Sequence, residues 1–169
     1  AGTVSRNLAQ YVCFASGVKW WEWSALPYGI DQSYKSYRFM TRFSEYYFDN
    51  AFKLLPENRR MKEITVTGGP RIFWQQFVYE RKVAGNRELT VHLINLPAGD
   101  YICQRHEVPA TVKNIVVQAR PHPGEKVSEA FAMLPNPAPH AIKLEINNNG
   151  AVLPELVDAA IVLFRFEKR

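Results

Sequence analysis

From Met61 onward, apolar and polar residues alternate in short runs, and residues that favour turns separate these runs. The clearest run is AIKLEI at 141–146, in which Ile142, Leu144 and Ile146 occupy one side. This period of two is typical of strands that bury one face and expose the other. Seven to nine such strands in about 110 residues predict a mainly β fold, an antiparallel two-sheet sandwich with Greek-key connections.

The strongest local signal is a hairpin between residues 71–83 and 87–96, which the segment AGN at 84–86 connects. Glycine and asparagine tolerate the positive φ that tight hairpin turns require. Gln75 and Gln76 interrupt the alternation of the first arm, and we expect a β-bulge there. The segment NNNG at 147–150 predicts a further turn. Other strands are predicted at residues 63–67, 112–119, 126–134, 141–146, 151–153 and 160–166.

The first 60 residues differ in composition, since they contain 14 of the 22 aromatic residues and only two of the eleven prolines. Residues 5–16 predict a short helix, which Gly17 ends. Residues 31–49 predict a longer helix with one polar face and one aromatic face. That aromatic face is larger than one helix can bury alone, so it must pack against an extensive surface. We therefore predict two regions, a helical segment at 1–58 and a β-sandwich domain at 59–169.

The distribution of charge argues against a nucleic-acid partner. The chain has 21 basic and 16 acidic residues, for a net charge of +5, and no basic run is longer than a pair such as Arg59 and Arg60. Binding along a phosphate backbone requires clustered positive charge, which this spread does not provide. No apolar stretch reaches the ~20 residues that span a bilayer. We expect a soluble chain with no nucleic-acid and no membrane partner.

The chain begins at Ala1, and its first methionine is Met40. We therefore expect a processed product or a piece of a longer protein. No segment resembles a signal peptide, and the sequence leaves the location open. A secreted or periplasmic mature product is one reading of such a start.

Motifs that identify common active sites are absent from the sequence. There is no GxSxG, no HExxH and no glycine-rich phosphate loop. The four histidines include no two at ligand spacing on one predicted element. We therefore predict no catalytic residue, no metal site and no cofactor.

The segment WWEW at 20–23 is the best candidate for ligand binding. Sugar rings have apolar C–H faces, so exposed indole rings beside a polar group form a natural platform for carbohydrate. The alternative is that these aromatic side chains pack in the core, while the acid caps an element or forms an ion pair. The candidate carbohydrate-binding residues are Trp20, Trp21, Glu22, Trp23 and Tyr28.

Two stretches of the sequence resemble a known group of enzymes. The segment YVCFASGVKWWEWSALPYG and the following SYKSYRFMTRFSEYYFDNAFKLL are similar to the end of the catalytic barrel in large glycoside hydrolases, such as family 66 dextranases and family 42 β-galactosidases. The segments FVYERKVAGNRELTVHLINLP, VKNIVVQARPHPGEKVSEAFAMLPN and VLPELVDAAIVLFRFEK resemble the C-terminal β-domain that follows the barrel.

This resemblance implies that residues 1–58 are a remnant of the barrel and a linker, and that the rest is an accessory domain. The catalytic carboxylates of such enzymes lie at the carboxyl ends of the barrel strands, so none can be transferred to this chain. The resemblance also implies that His92 and Asn95, in the segment HLIN, are structural and bond loop backbone.

Three functions follow from these observations as hypotheses. The leading one is a non-catalytic, C-terminal accessory β-sandwich portion of a carbohydrate-active enzyme that resembles glycoside hydrolases. Its partner would be a preceding catalytic domain, or another chain packing on the aromatic helix. The alternatives are a free-standing carbohydrate-binding module, and a structural or assembly subunit that uses helix 31–49 as its interface.

Overall fold

The computed structural model describes residues 3–17, 30–97 and 109–169. The fold is mainly β, with eleven strands and four helices among the described residues. No helix in these ranges is long and apolar enough to cross a membrane. The helices are α1 (Thr3–Ala15), α2 (Ile30–Arg42), α3 (Glu45–Phe48) and α4 (Glu57–Glu63).

The strands form two antiparallel sheets. The first has the order β1-β4-β5-β11-β7-β8, with β3 also pairing with β5, and the second has the order β2-β6-β10-β9. The strands are β1 (Lys53–Leu54), β2 (Ile64–Thr67), β3 (Ile72–Phe73), β4 (Val78–Val83), β5 (Asn86–Asn95), β6 (Val112–Ala119), β7 (Glu125–Leu134), β8 (His140–Leu144), β9 (Ile146–Asn147), β10 (Gly150–Leu156) and β11 (Ala159–Lys168).

The main hydrophobic core lies between the two sheets. Leu89, Val91 and Leu93 project into it from β5, and Ile115 and Val117 project from β6 in the other sheet. All five side chains are fully buried, and burial of apolar surface stabilises by roughly 25 cal/mol per Å². The chain passes repeatedly from one sheet to the other, for example between β5 and β6 and between β10 and β11. The prediction of a mainly β, two-sheet antiparallel sandwich is confirmed.

Helices α1, α2 and α3 cover the outer face of the first sheet. Ile94 of β5 and Ile161 and Leu163 of β11 form a second hydrophobic cluster with residues of α1 and α2. At its centre, the Phe39 ring meets the rings of Tyr11 and Phe43 edge-on, at centroid distances of 6.0 and 5.3 Å. The extensive surface that the aromatic helical face requires is thus a sheet of the same chain. Strand β1, which precedes residue 59, also belongs to that sheet.

Three local predictions differ in detail from the structure. The helix predicted at 31–49 is divided into α2 and α3, which residues 43–44 separate. Gln75 and Gln76 lie in a turn that splits the first hairpin arm into β3 and β4, so the interruption predicted there is present but is larger than a one-residue bulge. The run at 141–146 is also divided, because β8 belongs to the first sheet and β9 to the second. Its inward residue Leu144 is buried, as predicted.

The predicted hairpin is confirmed and has a two-residue loop. Ala84 and Gly85 have φ values of 49° and 84°, and Val83 pairs directly with Asn86. The predicted turn at 147–150 is also present, with positive φ at Asn148 and Asn149.

Candidate functional site

An open cleft lies where the ends of α1 and α3 meet β1 and β4 of the first sheet. Its volume is about 710 Å³, within the range of about 300–1,000 Å³ that is typical of small-molecule sites. The residues that line it are Phe14, Gly17, Met40, Tyr47, Phe48, Asp49, Asn50, Phe52, Lys53 and Tyr79.

Aromatic rings form the walls of this cleft. Phe14 and Phe48 both contact the Tyr47 ring, at centroid distances of 6.1 and 6.2 Å. The Tyr79 hydroxyl donates a hydrogen bond of 2.5 Å to the carbonyl of Ala15, which fixes the end of α1 against β4. Burial raises the pKa values of Tyr47 and Tyr79, so both phenols are neutral at physiological pH. The aromatic walls are therefore uncharged.

A polar rim of Asp49, Asn50 and Lys53 follows directly after α3. One oxygen of the Asp49 carboxylate accepts a hydrogen bond of 2.8 Å from the Ala51 amide, and the other accepts one of 2.9 Å from Arg81. The bond from the Ala51 amide is the main reason that the pKa of Asp49 is lowered, and the bond from Arg81 adds to it. Asp49 is thus an ionised, oriented acceptor and not a source of protons.

His92 lies behind the aromatic walls and is 3% exposed. Its ring contacts those of Tyr47 and Tyr79 at centroid distances of 5.0 and 5.6 Å. Burial lowers the pKa of His92 to about 3, so the imidazole is neutral near pH 7. Its Nε2 atom and the Thr90 hydroxyl have no hydrogen-bond partner among the described residues. His92 therefore packs between aromatic rings, and its Nε2 atom does not bond loop backbone as expected.

Asn95 does bond loop backbone, as the sequence predicts. Its amide nitrogen donates to the carbonyls of Ala110, Leu156 and Val157 at distances of 2.9, 3.3 and 2.8 Å. The side chain is 1% exposed, so these bonds satisfy a buried donor. They tie the end of β5 to the segments that precede β6 and follow β10.

A buried ionic cluster closes the sandwich near the β4–β5 hairpin. Arg87, which is 3% exposed, donates to the carboxylates of Glu63 and Glu125, at 2.8 and 3.0 Å. Its guanidinium also lies 3.8 Å from the centre of the Phe166 ring. Arg59 forms a second ion pair with Glu63.

Among the described residues, one group has the proximity that a metal ion requires. Glu63, Glu80 and His122 each offer a ligand atom within 4.8 Å of the others. However, the two carboxylates are already bound by the guanidinium groups of Arg59 and Arg87. Two adjacent positive charges oppose a divalent cation, so we assign this group to the ionic cluster and not to metal binding.

A row of alternating charges crosses the outer face of the first sheet beyond the helices. Arg81 of β4 binds Glu88 of β5 at 2.6 Å, and Glu88 binds Arg165 of β11 at 2.9 Å. Arg165 in turn binds Glu129 of β7 at 3.1 Å, and Glu129 binds Lys143 of β8 at 2.9 Å. These five charged side chains are thus engaged with each other, and Arg81 also binds Asp49 at the rim of the cleft.

The sequence-predicted binding residues Trp20, Trp21, Glu22, Trp23 and Tyr28 all lie outside the described residues. The structure therefore leaves their role as a prediction. The cleft itself was not predicted, although the segment FDNAFK at 48–53 gives a signal for it. An exposed aromatic residue followed directly by an acid and an amide is unusual at the end of an otherwise core-facing helix.

The similarity of this chain to known proteins lies in its fold and not in its sequence. No family model matches the sequence, and no curated protein matches it. The fold defines the chain as an antiparallel β-sandwich protein in which helices cover one of the two sheets.

Among solved structures, the chain is similar to a cycloisomaltooligosaccharide glucanotransferase of Paenibacillus sp., a family 66 enzyme, solved with cycloisomaltoheptaose. The TM-score is 0.64 at 17% identity, and the match covers 96% of this chain and 27% of that enzyme. An α-L-fucosidase isoenzyme 2 of Paenibacillus thiaminolyticus matches with a TM-score of 0.39 and 14% identity, over 63% of this chain and 16% of that one. The chain therefore shares its fold with a part of a glycoside hydrolase-related enzyme.

Proposed function

We propose that this chain is the non-catalytic, C-terminal accessory portion of a carbohydrate-active enzyme. The observation that carries the proposal is the extent of the fold match, which includes 96% of this chain but only 27% of the glucanotransferase. The helical segment and the β-sandwich thus recur together as one minor part of a larger enzyme.

The acidic group that lines the cleft is not arranged for the hydrolysis of glycosidic bonds. Hydrolysis by the common mechanisms needs two acids about 5–10 Å apart, one of them able to donate a proton. Asp49 is the acidic residue that lines the cleft, and Arg81 binds its carboxylate at 2.9 Å while also binding Glu45 at 3.2 Å. With its lowered pKa, Asp49 cannot serve as a general acid near neutral pH.

The proposal assigns residues 1–58, apart from β1, to the end of a preceding catalytic barrel and its linker, and β1 together with residues 59–169 to the accessory domain. The partner in this arrangement is that preceding catalytic domain. The packing of α1 and α2 on the first sheet supports a rigid junction, because such packing would hold a barrel at a fixed angle to the sandwich. The alternative of an assembly subunit has less support, since the buried aromatic residues of α2 are already covered within the chain.

Two measurements test this proposal. The gene that encodes the chain, or its mass in the native source, should show a protein of several hundred residues with a barrel domain before Ala1. The purified 169-residue chain should release no reducing sugar from α- or β-glucans. Turnover that is lost in Glu22→Gln and retained in the matched surface variant Glu155→Gln would contradict the proposal and place a catalytic acid in this chain.

A further inference from the structure

We propose that the cleft between α1, α3 and β4 binds a neutral sugar, with the Phe48 ring as its stacking platform. This inference rests on the proposed role in a carbohydrate-active enzyme. It goes further by naming a class of ligand, the neutral sugars, and the cleft as their binding site. The site differs from the tryptophan segment that the sequence singles out, because its residues come from the end of α3 and from the first sheet.

The exposure of Phe48 is the first argument. Its side chain is 42% exposed, and it is the one aromatic residue among the large hydrophobic side chains that the described chain exposes. The ring is held in place, because it packs against Tyr47 and its backbone amide bonds the carbonyl of Ser44 at 2.9 Å. A fixed aromatic face open to a cleft suits the apolar C–H face of a sugar ring, since both surfaces lose contact with water on stacking.

The polar groups beside Phe48 are the second argument. Sugar hydroxyls both donate and accept hydrogen bonds, and the rim offers a carboxylate acceptor, an amide and an ammonium donor in Asp49, Asn50 and Lys53. The Asp49 carboxylate is oriented by the Ala51 amide at one oxygen and by Arg81 at the other, so each oxygen keeps a further lone pair for a ligand. Asp49 can therefore accept a hydrogen bond from a sugar hydroxyl while it keeps its bonds to Ala51 and Arg81.

The charge of the rim decides between classes of ligand. Asp49 and Lys53 have opposite charges, and the aromatic walls are uncharged. A polyanion would require an excess of positive charge, and a cationic ligand an excess of negative charge, whereas this balance suits a neutral polyhydroxyl compound. The volume of about 710 Å³ leaves room for more than one ring, so a short oligosaccharide is the expected ligand.

The test is isothermal titration of the full 169-residue chain with isomaltoheptaose, maltoheptaose, cellohexaose and, as an anionic probe, oligogalacturonate. We expect saturable binding of at least one neutral oligosaccharide. The substitution Phe48→Ala should weaken it by about tenfold or more, and Phe48→Trp should retain it, because the indole also offers a flat face. Asn50→Ala should weaken binding by about threefold or more. Val152→Ala, at an exposed apolar site of the other sheet, is the control and should change nothing.

Several outcomes would overturn the cleft as a sugar site. These are no saturable binding to any neutral probe, binding to oligogalacturonate alone, and binding that Phe48→Ala leaves unchanged. Binding that is lost on replacing Trp20, Trp21 and Trp23 but kept in Phe48→Ala would place the sugar at the tryptophan segment instead. The experiments can refute the sugar site and the proposed accessory role independently of each other. A long parent enzyme whose isolated portion binds no sugar would refute the cleft alone, and sugar binding in the absence of any parent would refute the accessory role alone.

Discussion

Acidification should destabilise this protein through His92. Its imidazole is buried and neutral in the folded chain, where burial lowers its pKa to about 3, while in the unfolded chain the pKa is about 6.5. Because the folded value is the lower one, unfolding takes up a proton between these values. The contribution of His92 to the free energy of unfolding is therefore fully present above pH 6.5. It is lost as the pH falls towards 3. The full loss is about 5 kcal/mol, and about 2 kcal/mol of it occurs by pH 5.

Urea unfolding at pH 7.5 and pH 5.0 measures this loss. Hydrogen bonds lower the pKa values of Asp49 and Glu129, so these carboxylates are ionised at both pH values and do not obscure the result. Replacing His92 by Leu removes the titrating ring and breaks no hydrogen bond at Nε2. We expect the free energy of unfolding of the wild type to fall by about 2 kcal/mol more than that of His92→Leu.

The control for this experiment is His140→Leu, at a half-buried histidine that begins β8. It should reproduce the pH dependence of the wild type to within about 0.5 kcal/mol. Equal losses in the wild type and in His92→Leu would refute the reasoning, because they would show that a different group carries the proton uptake.

Three further substitutions test the packing. Arg87→Met should lower the free energy of unfolding by about 3–5 kcal/mol, because it leaves buried carboxylates without their main cation, whereas Arg120→Met at an exposed site should cost less than about 0.5 kcal/mol in the same denaturation assay. Gly68→Ala should cost more than about 2 kcal/mol, because φ is 123° and the new Cβ would lie 2.9 Å from backbone of β6; Gly124→Ala, with positive φ but open space, should cost about half as much. Phe39→Ala should cost about 3–5 kcal/mol and lower the melting temperature by about 10 °C; a loss below 1 kcal/mol would show that the helical cover contributes little.

The long strands could be predicted from the sequence because their alternation is set by a core on one side. In β6, Ile115, Val117 and Ala119 face the sandwich core, and the residues between them are more exposed. The short elements could not be predicted in this way. Strands β1 and β9 have two residues each, and α4 has seven, so they contain too few residues to show a period. Their pairing is decided by the neighbours they meet in three dimensions.

The break between α2 and α3 could also not be predicted from the sequence. No glycine or proline stands at residues 43–44, and the aromatic pattern continues through them. The break follows from packing, since the Phe43 and Tyr46 rings must both reach the outer face of the first sheet. Tertiary contacts of this kind override local helix propensity.

The cleft could not be predicted from the sequence for a similar reason. Its rim is continuous in sequence at 48–53, but its walls come from Phe14 and Tyr79, which are far apart along the chain. Only the folded sheet brings these rings together. The sequence instead drew attention to the tryptophan segment, because clustered indoles are conspicuous without any knowledge of the fold.

The position of β11 has a consequence for how the protein is made. This strand, Ala159–Lys168, is synthesised after the other described strands, yet it pairs with β5 on one side and β7 on the other in the middle of the first sheet. While the ribosome still holds it, β5 and β7 each have an unpaired edge and an open apolar face. We therefore expect the sheet to close only after residue 168 has left the exit tunnel. A nascent chain stalled before residue 159 would be a substrate for chaperones and prone to aggregation.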